Sequence, residues 1–144
     1  MSYRYEYHYV EANGVKLFTA VLLPHERGTF PTVVYRTPYD ESMRYITEDE
    51  VCDQLVKDNS HLLSHGYAVV RQHCRGTSKS EGVFIPYIYE RADGLELLQW
   101  IREQSFYNGE LYLHGASYTS SVHYCIAPFP DDVKGAVLGV QDCE

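Results

Sequence analysis

Residues 109–125 read GELYLHGASYTSSVHYC, and the fold turns on this stretch. Leu111-Tyr112-Leu113-His114 is a short apolar run of the kind that forms a buried strand. Three small residues follow, Gly115-Ala116-Ser117. Tyr118 to Ala127 then reads as a helix, stopped by Pro128 and Pro130. A strand that bends at small residues straight into a helix holds the residue at the bend clear of the sheet. It also points the free N–H groups of the first helical turn at that residue. Ser117 occupies the bend. Two readings are open: a nucleophile whose oxyanion the turn would receive, or a helix N-cap, a position serine favours in any case.

Outward from that bend the elements alternate. Tyr3, Tyr5, Tyr7 and Tyr9 interleave with Arg4, Glu6 and His8, a period of two that predicts a half-buried edge strand running to Val10. Asn13-Gly14 is a strong hairpin signal, and Val15–Leu23 returns as a second strand. Phe30–Arg36 is a third, closed by Thr37-Pro38-Tyr39-Asp40. Thr47 with Glu50 predicts a capping box, with Val51 and Leu55 on one helical face. Leu62 and Leu63 belong to a further short helix stopped at Gly66, before a fourth strand over 67–72. A loop rich in small and charged residues spans Cys74–Pro86. The next helix is expected to be capped by Asp93 with Glu96, and buries Leu95, Leu98 and Ile101. The fifth strand is 111–114 and the sixth Val133–Val140. A hairpin followed by strands alternating with helices predicts an α/β fold, a parallel sheet with helices on both faces. Ligands of such sheets bind beyond the carboxyl ends of the strands. The loops at 36–40 and 73–82 and the turn at Ser117 stand there.

The totals narrow the function. The chain has 144 residues, enough for one domain, with 22% charged residues and a net charge of −8. That sign disfavours nucleic acid and anionic membranes. No run approaches a membrane span and the N-terminus lacks a signal pattern, so the expected compartment is the cytoplasm. Cys52, Cys74, Cys125 and Cys143 form no CxxC pair and read as free thiols. There is no GxGxxG or GxxxxGK loop, which argues against nucleotide binding. His61 and His65 have a metal-pair spacing without a third ligand, so neither metal nor cofactor is expected.

Six pieces together resemble the CocE/NonD group of α/β-hydrolases, whose members include esterases, α-amino-acid ester hydrolases and X-Pro dipeptidyl-peptidases. They are NGVKLFTAVLLP (13–24), FPTVVYRTPYD (30–40), HGYAVVRQHCRGTSKSEG (65–82), ADGLELLQWI (92–101), NGELYLHGASYTSS (108–121) and VKGAVLGV (133–140). The RTPY and RGxxxSEG pieces are the most specific. The resemblance implies Ser117 as nucleophile, with the backbone N–H of Tyr118 and the hydroxyl of Tyr39 as oxyanion donors. It implies a structural role for the loop of Arg75, Gly76, Ser80, Glu81 and Gly82, with Arg75 paired to a carboxylate rather than to substrate. Two departures stand out: Ser120 replaces a glycine of the family's GxSYxG, and His73 replaces an aspartate.

The group's members are several hundred residues long, so the resemblance implies an α/β-hydrolase catalytic domain truncated after about the sixth strand. The aspartate and histidine of the triad have no match. Substitutes within the chain are His73, at the carboxyl end of its strand, and Asp142, past the last strand. His114 and His123 are less suited, the first expected to point into the sheet and the second off the serine's face. The expected chemistry is hydrolysis of an ester or peptide-like amide through an acyl-enzyme. The alternative is an incomplete fragment or one half of a split enzyme. The sixth strand is expected to present an open apolar edge, through which copies associate or a complementing chain pairs.

Overall fold

The computed structural model describes residues 3–25, 27–115 and 118–138. Six strands form one mixed sheet: β1 (Arg4–Ala12), β2 (Val15–Leu23), β3 (Phe30–Thr37), β4 (Ala68–His73), β5 (Tyr107–Gly115) and β6 (Val133–Leu138). Their spatial order is β1-β2-β4-β3-β5-β6. The hairpin is antiparallel and β2 meets β4 antiparallel, while β4, β3, β5 and β6 run parallel. Parallel neighbours need crossovers, and helices supply them: α1 (Glu48–Asp58), α2 (Ser60–Ser64), α3 (Glu90–Arg102) and α4 (Tyr118–Tyr124).

The period of two along β2 divides the core. Phe18, Ala20 and Leu22 face α1 and α2 and pack with Val51, Cys52, Leu55 and Leu63. Val21 and Leu23 face the other way, joining Leu97, Leu98 and Ile101 of α3 and Ile126 beyond α4. Full burial of such a side chain contributes about 2 kcal/mol, so each layer holds its helices by its apolar face. The tyrosines of β1 lie on the α1 side. Tyr5 donates to Asp49 at 2.9 Å and Tyr9 to Glu48 at 2.8 Å, tying the edge strand to the first turn of α1. The capping box is present: Glu50 N–H donates to the Thr47 hydroxyl at 3.1 Å and Thr47 N–H to the Glu50 carboxylate at 2.8 Å.

Two elements differ from expectation. Helix α3 starts at Glu90, so Asp93 lies in its first turn and is not its cap. The Asp93 carboxylate is engaged elsewhere, by Arg75 and Asn13. Strand β5 begins at Tyr107, ahead of the apolar run, because Tyr107 pairs with Phe30 and the register then shifts before Leu111. Asn108-Gly109 is thus absorbed as an irregularity inside the strand. Among the described residues no helix is long and apolar enough to cross a membrane.

Candidate active site

The carboxyl ends of β3, β4 and β5 lie at one edge of the sheet, and Tyr39 and Tyr118 meet there. The chain leaves β3 through Thr37, whose hydroxyl accepts the Tyr39 N–H at 2.9 Å. Asp40 follows with φ 68°, a left-handed conformation that aspartate tolerates, and its carboxylate accepts from Arg71 at 2.6 Å. This turn leaves the Tyr39 ring about half exposed at 47%.

At the end of β5 the backbone passes from Gly115 to α4, which begins at Tyr118. A Cβ on Gly115 would stand 2.4 Å from the Thr119 carbonyl oxygen, so only glycine allows the helix to turn back this closely. Ser117, the predicted nucleophile, lies outside the described residues. Its neighbour does not: the Tyr118 N–H points at the Tyr39 hydroxyl, 3.3 Å away. The two predicted oxyanion donors are therefore brought together at the start of α4.

Two clefts flank this point and share Tyr39 as a wall. One, of about 420 Å³, is lined by Pro38, Phe84, Pro86, Tyr87 and Tyr118. The other, of about 450 Å³, is lined by Tyr35, Asp40, Arg71, His114 and Thr119 among others. The first is aromatic. The second carries charge and an imidazole.

The 74–82 loop is structural, as expected. Arg75 reaches both oxygens of Asp93 at 2.9 Å and the carbonyl of Ala12 at 3.1 Å, and its guanidinium lies over the Tyr89 ring. The Asp93 hydrogen bond holds the guanidinium firmly in its charged form. Gly76 has φ +76°, and a Cβ there would fall 2.1 Å from the Phe84 nitrogen. Arg75 therefore clamps helix to hairpin and does not face a cleft.

The histidines are placed as follows. His73 is 1% exposed, stacked on Phe18 at 5.3 Å, with neither ring nitrogen hydrogen-bonded. Burial, ahead of the charges of Asp40 and Arg71, pushes its pKa down to about 4, so the ring is neutral at pH 7. Its stacking partner belongs to β2, and β3 stands between its own strand and β5. His123 is buried on α4, and its Nε2–H donates to the His114 carbonyl oxygen at 3.1 Å; burial sends its pKa to about 4 as well. His114 packs on Tyr35 of the neighbouring strand at 4.8 Å, with Nδ1 buried and unbonded. Asp142, the other substitute named from sequence, lies outside the described residues.

The structure also holds a buried charge network that no local sequence pattern marks. Arg36, 1% exposed, donates to Glu90 at 2.7 Å and to Gln72 at 2.7 Å. Glu90 in turn accepts the Tyr118 hydroxyl at 2.9 Å. The one available signal was an arginine ending an otherwise apolar strand.

Comparison with known proteins fits this geometry. The family model described as X-Pro dipeptidyl-peptidase (S15 family) matches residues 13–138. Cocaine esterase of Rhodococcus sp. (strain MB1 Bresler) is 34% identical over 108 residues, which are 74% of this chain and 18% of that protein. Among solved structures, an α-amino acid ester hydrolase superposes with a TM-score of 0.75 at 26% identity, over 93% of this chain and 24% of that one. A CocE/NonD family hydrolase from Staphylococcus aureus gives 0.72 at 24% identity, over 92% and 26%. The chain thus spans about a fifth to a quarter of the length of these relatives. Its sheet and helices are those of the α/β-hydrolase fold, and the chain belongs to the X-Pro dipeptidyl-peptidase (S15) family.

Proposed function

We propose that this member of the S15 family carries the nucleophile and oxyanion site of a serine hydrolase. It would cleave an ester or amide bond through an acyl-enzyme on Ser117. The observation that carries the reading is the convergence of the Tyr118 N–H and the Tyr39 hydroxyl, 3.3 Å apart, beside the strand-to-helix junction. In the reaction the Ser117 oxygen passes its proton to a general base and attacks the carbonyl carbon, whose oxygen gains negative charge. The Tyr118 N–H then turns from Tyr39 to that oxygen, and the Tyr39 hydroxyl donates to it from the other side. The bond to the leaving group breaks as that group takes the proton from the base and departs as an alcohol or amine, leaving an ester on Ser117, which water hydrolyses. The flanking clefts suit the two halves of such a substrate, the aromatic one taking an apolar group.

A second reading is that residues 1–144 form the first part of one catalytic domain, and that the general base comes from another segment or chain. The burial of His73 and His123 favours it, since burial lowers the basicity of both rings. The edge at β6, the last strand among the described residues, is where a complementing chain or a second copy would pair. The free thiols of Cys52, Cys74 and Cys125 suit a reducing cytoplasm.

The test is hydrolysis of p-nitrophenyl acetate by the chain and by Ser117→Ala. A rate above the variant's supports the reading, and a further rise when a polypeptide carrying the remaining strands is added supports the second. Equal rates for both proteins, with and without that polypeptide, contradict both.

A further inference from the structure

We infer that Glu90, held by Arg36, is a positioning residue for the oxyanion donor of Tyr118. The inference rests on the reading of Ser117 and Tyr118 given above. Tyr118 is the first residue of α4, and its backbone N–H is the donor in question. Its side chain is fixed from several directions. The hydroxyl donates to Glu90 Oε2 at 2.9 Å and accepts the Tyr87 N–H at 3.0 Å. The ring packs on Tyr87 at 4.9 Å and Phe84 at 5.7 Å. A residue anchored at the far end of its ring has little freedom left at its backbone, so the direction of the N–H is set by the anchor.

The anchor itself is rigid. Glu90 is 3% exposed and Arg36 1%, and Arg36 Nη1 donates to Glu90 Oε1 at 2.7 Å. Arg36 Nε donates to Gln72, whose amide donates to the Thr19 hydroxyl at 3.0 Å. The chain of bonds therefore ties β2, β4, β3 and α3 to the start of α4. Burying an ion pair is a poor way to gain stability, because apolar side chains of similar volume usually do as well or better. Here one guanidinium nitrogen, Nη2, is also buried without a partner among the described residues, an added cost. A costly pair at this position is accounted for by what it holds.

The sign of the charges fits the same role. A lone carboxylate bonded to the Tyr118 hydroxyl would oppose a negative charge forming at the N–H of that residue. Arg36 cancels the charge of Glu90 while leaving its second oxygen free to accept. The anchor is thus strong and electrostatically neutral towards the oxyanion. Burial, together with the charge of Glu90, raises the pKa of the Tyr118 phenol, keeping it protonated as the donor.

The experiment compares the full chain with Tyr118→Phe and Glu90→Gln. Amide exchange of Tyr118 is followed by NMR, and the rate of Ser117 labelling by a fluorophosphonate is followed by mass. Tyr118→Phe leaves the Arg36–Glu90 pair in place, so it tests the anchor even if Glu90→Gln fails to fold. The expected result is exchange of the Tyr118 amide about tenfold or more faster, with the amides of Val34 and Val70 unchanged. Labelling is expected to slow by about tenfold or more, the scale of a catalytic group displaced by a fraction of an ångström. Wild-type exchange at Tyr118 in Tyr118→Phe overturns the inference, as does wild-type labelling by that variant. Wild-type protein that is folded but never labelled counts against Ser117 as nucleophile, and the amide measurement then decides this inference alone.

Discussion

Asp93 has no exposed surface, and both of its oxygens are held by Arg75. Removing one member of such a pair strands the other charge in the interior, which typically costs about 3–5 kcal/mol. Asp93→Ala is therefore expected to lower the thermal midpoint by roughly 10–15 °C, a loss a melting curve reads directly. His73 makes the opposite kind of statement. It is buried neutral with a pKa of about 4, against an ordinary 6.5 in the unfolded chain. Between those values the unfolded chain binds the proton and the folded one does not. The stability that depends on a neutral ring is full above pH 6.5 and is lost as pH falls towards 4, by up to about 3 kcal/mol. His73→Phe keeps a ring against Phe18 and removes the titration. Urea melts at pH 7 and pH 4.5 are expected to show a smaller difference for the variant than for the wild type. At this scale the sequence was partly legible. Arg75 could be read as a partner of some carboxylate from its loop, but Glu90 could not be tied to Arg36. The two lie 54 positions apart, and no local pattern links an arginine on a strand to the first residue of a later helix.

At the scale of elements, local chemistry predicted what local chemistry decides. The hairpin at Asn13-Gly14 and the capping box at Thr47 form because neighbouring residues specify them. Thr47→Ala is expected to cost about 1 kcal/mol, measurable as a shift in the urea midpoint at constant slope. The start of α3 was misread because Asp93 looks like a cap, and only its distant partners show otherwise. The length of β5 was misread because its pairing with Phe30 overrides the glycine at 109. The 74–82 loop depends on a close approach that no periodicity reveals. Gly76→Ala would drive a methyl into the Phe84 backbone and add strain at a positive φ. It is expected to loosen this loop and the aromatic cleft that includes Phe84, seen as faster proteolysis at 76–86 under native conditions.

For the molecule as a whole, the sheet places the candidate site at the carboxyl ends of its strands and β6 at its end in the order of strands. Among the described residues β6 is the last strand, and Val137 on it is 67% exposed. We propose that copies associate through this edge, and light scattering at rising concentration is expected to show a mass above 16.6 kDa that Val137→Lys reduces. The alternation of strands and helices made the fold class readable from sequence, since parallel strands must be joined by crossovers. The convergence of Tyr39 with Tyr118 was not readable from spacing, because it joins two loops through the order of the strands; it followed only from resemblance. The central claim is that this convergence serves a nucleophile at Ser117. The most direct measurement is the intact mass of the folded chain after treatment with a fluorophosphonate, beside Ser117→Ala. The account predicts a single adduct on the wild type and none on the variant. Equal labelling of both proteins, or none on a folded wild type even with the remaining strands supplied, would contradict it.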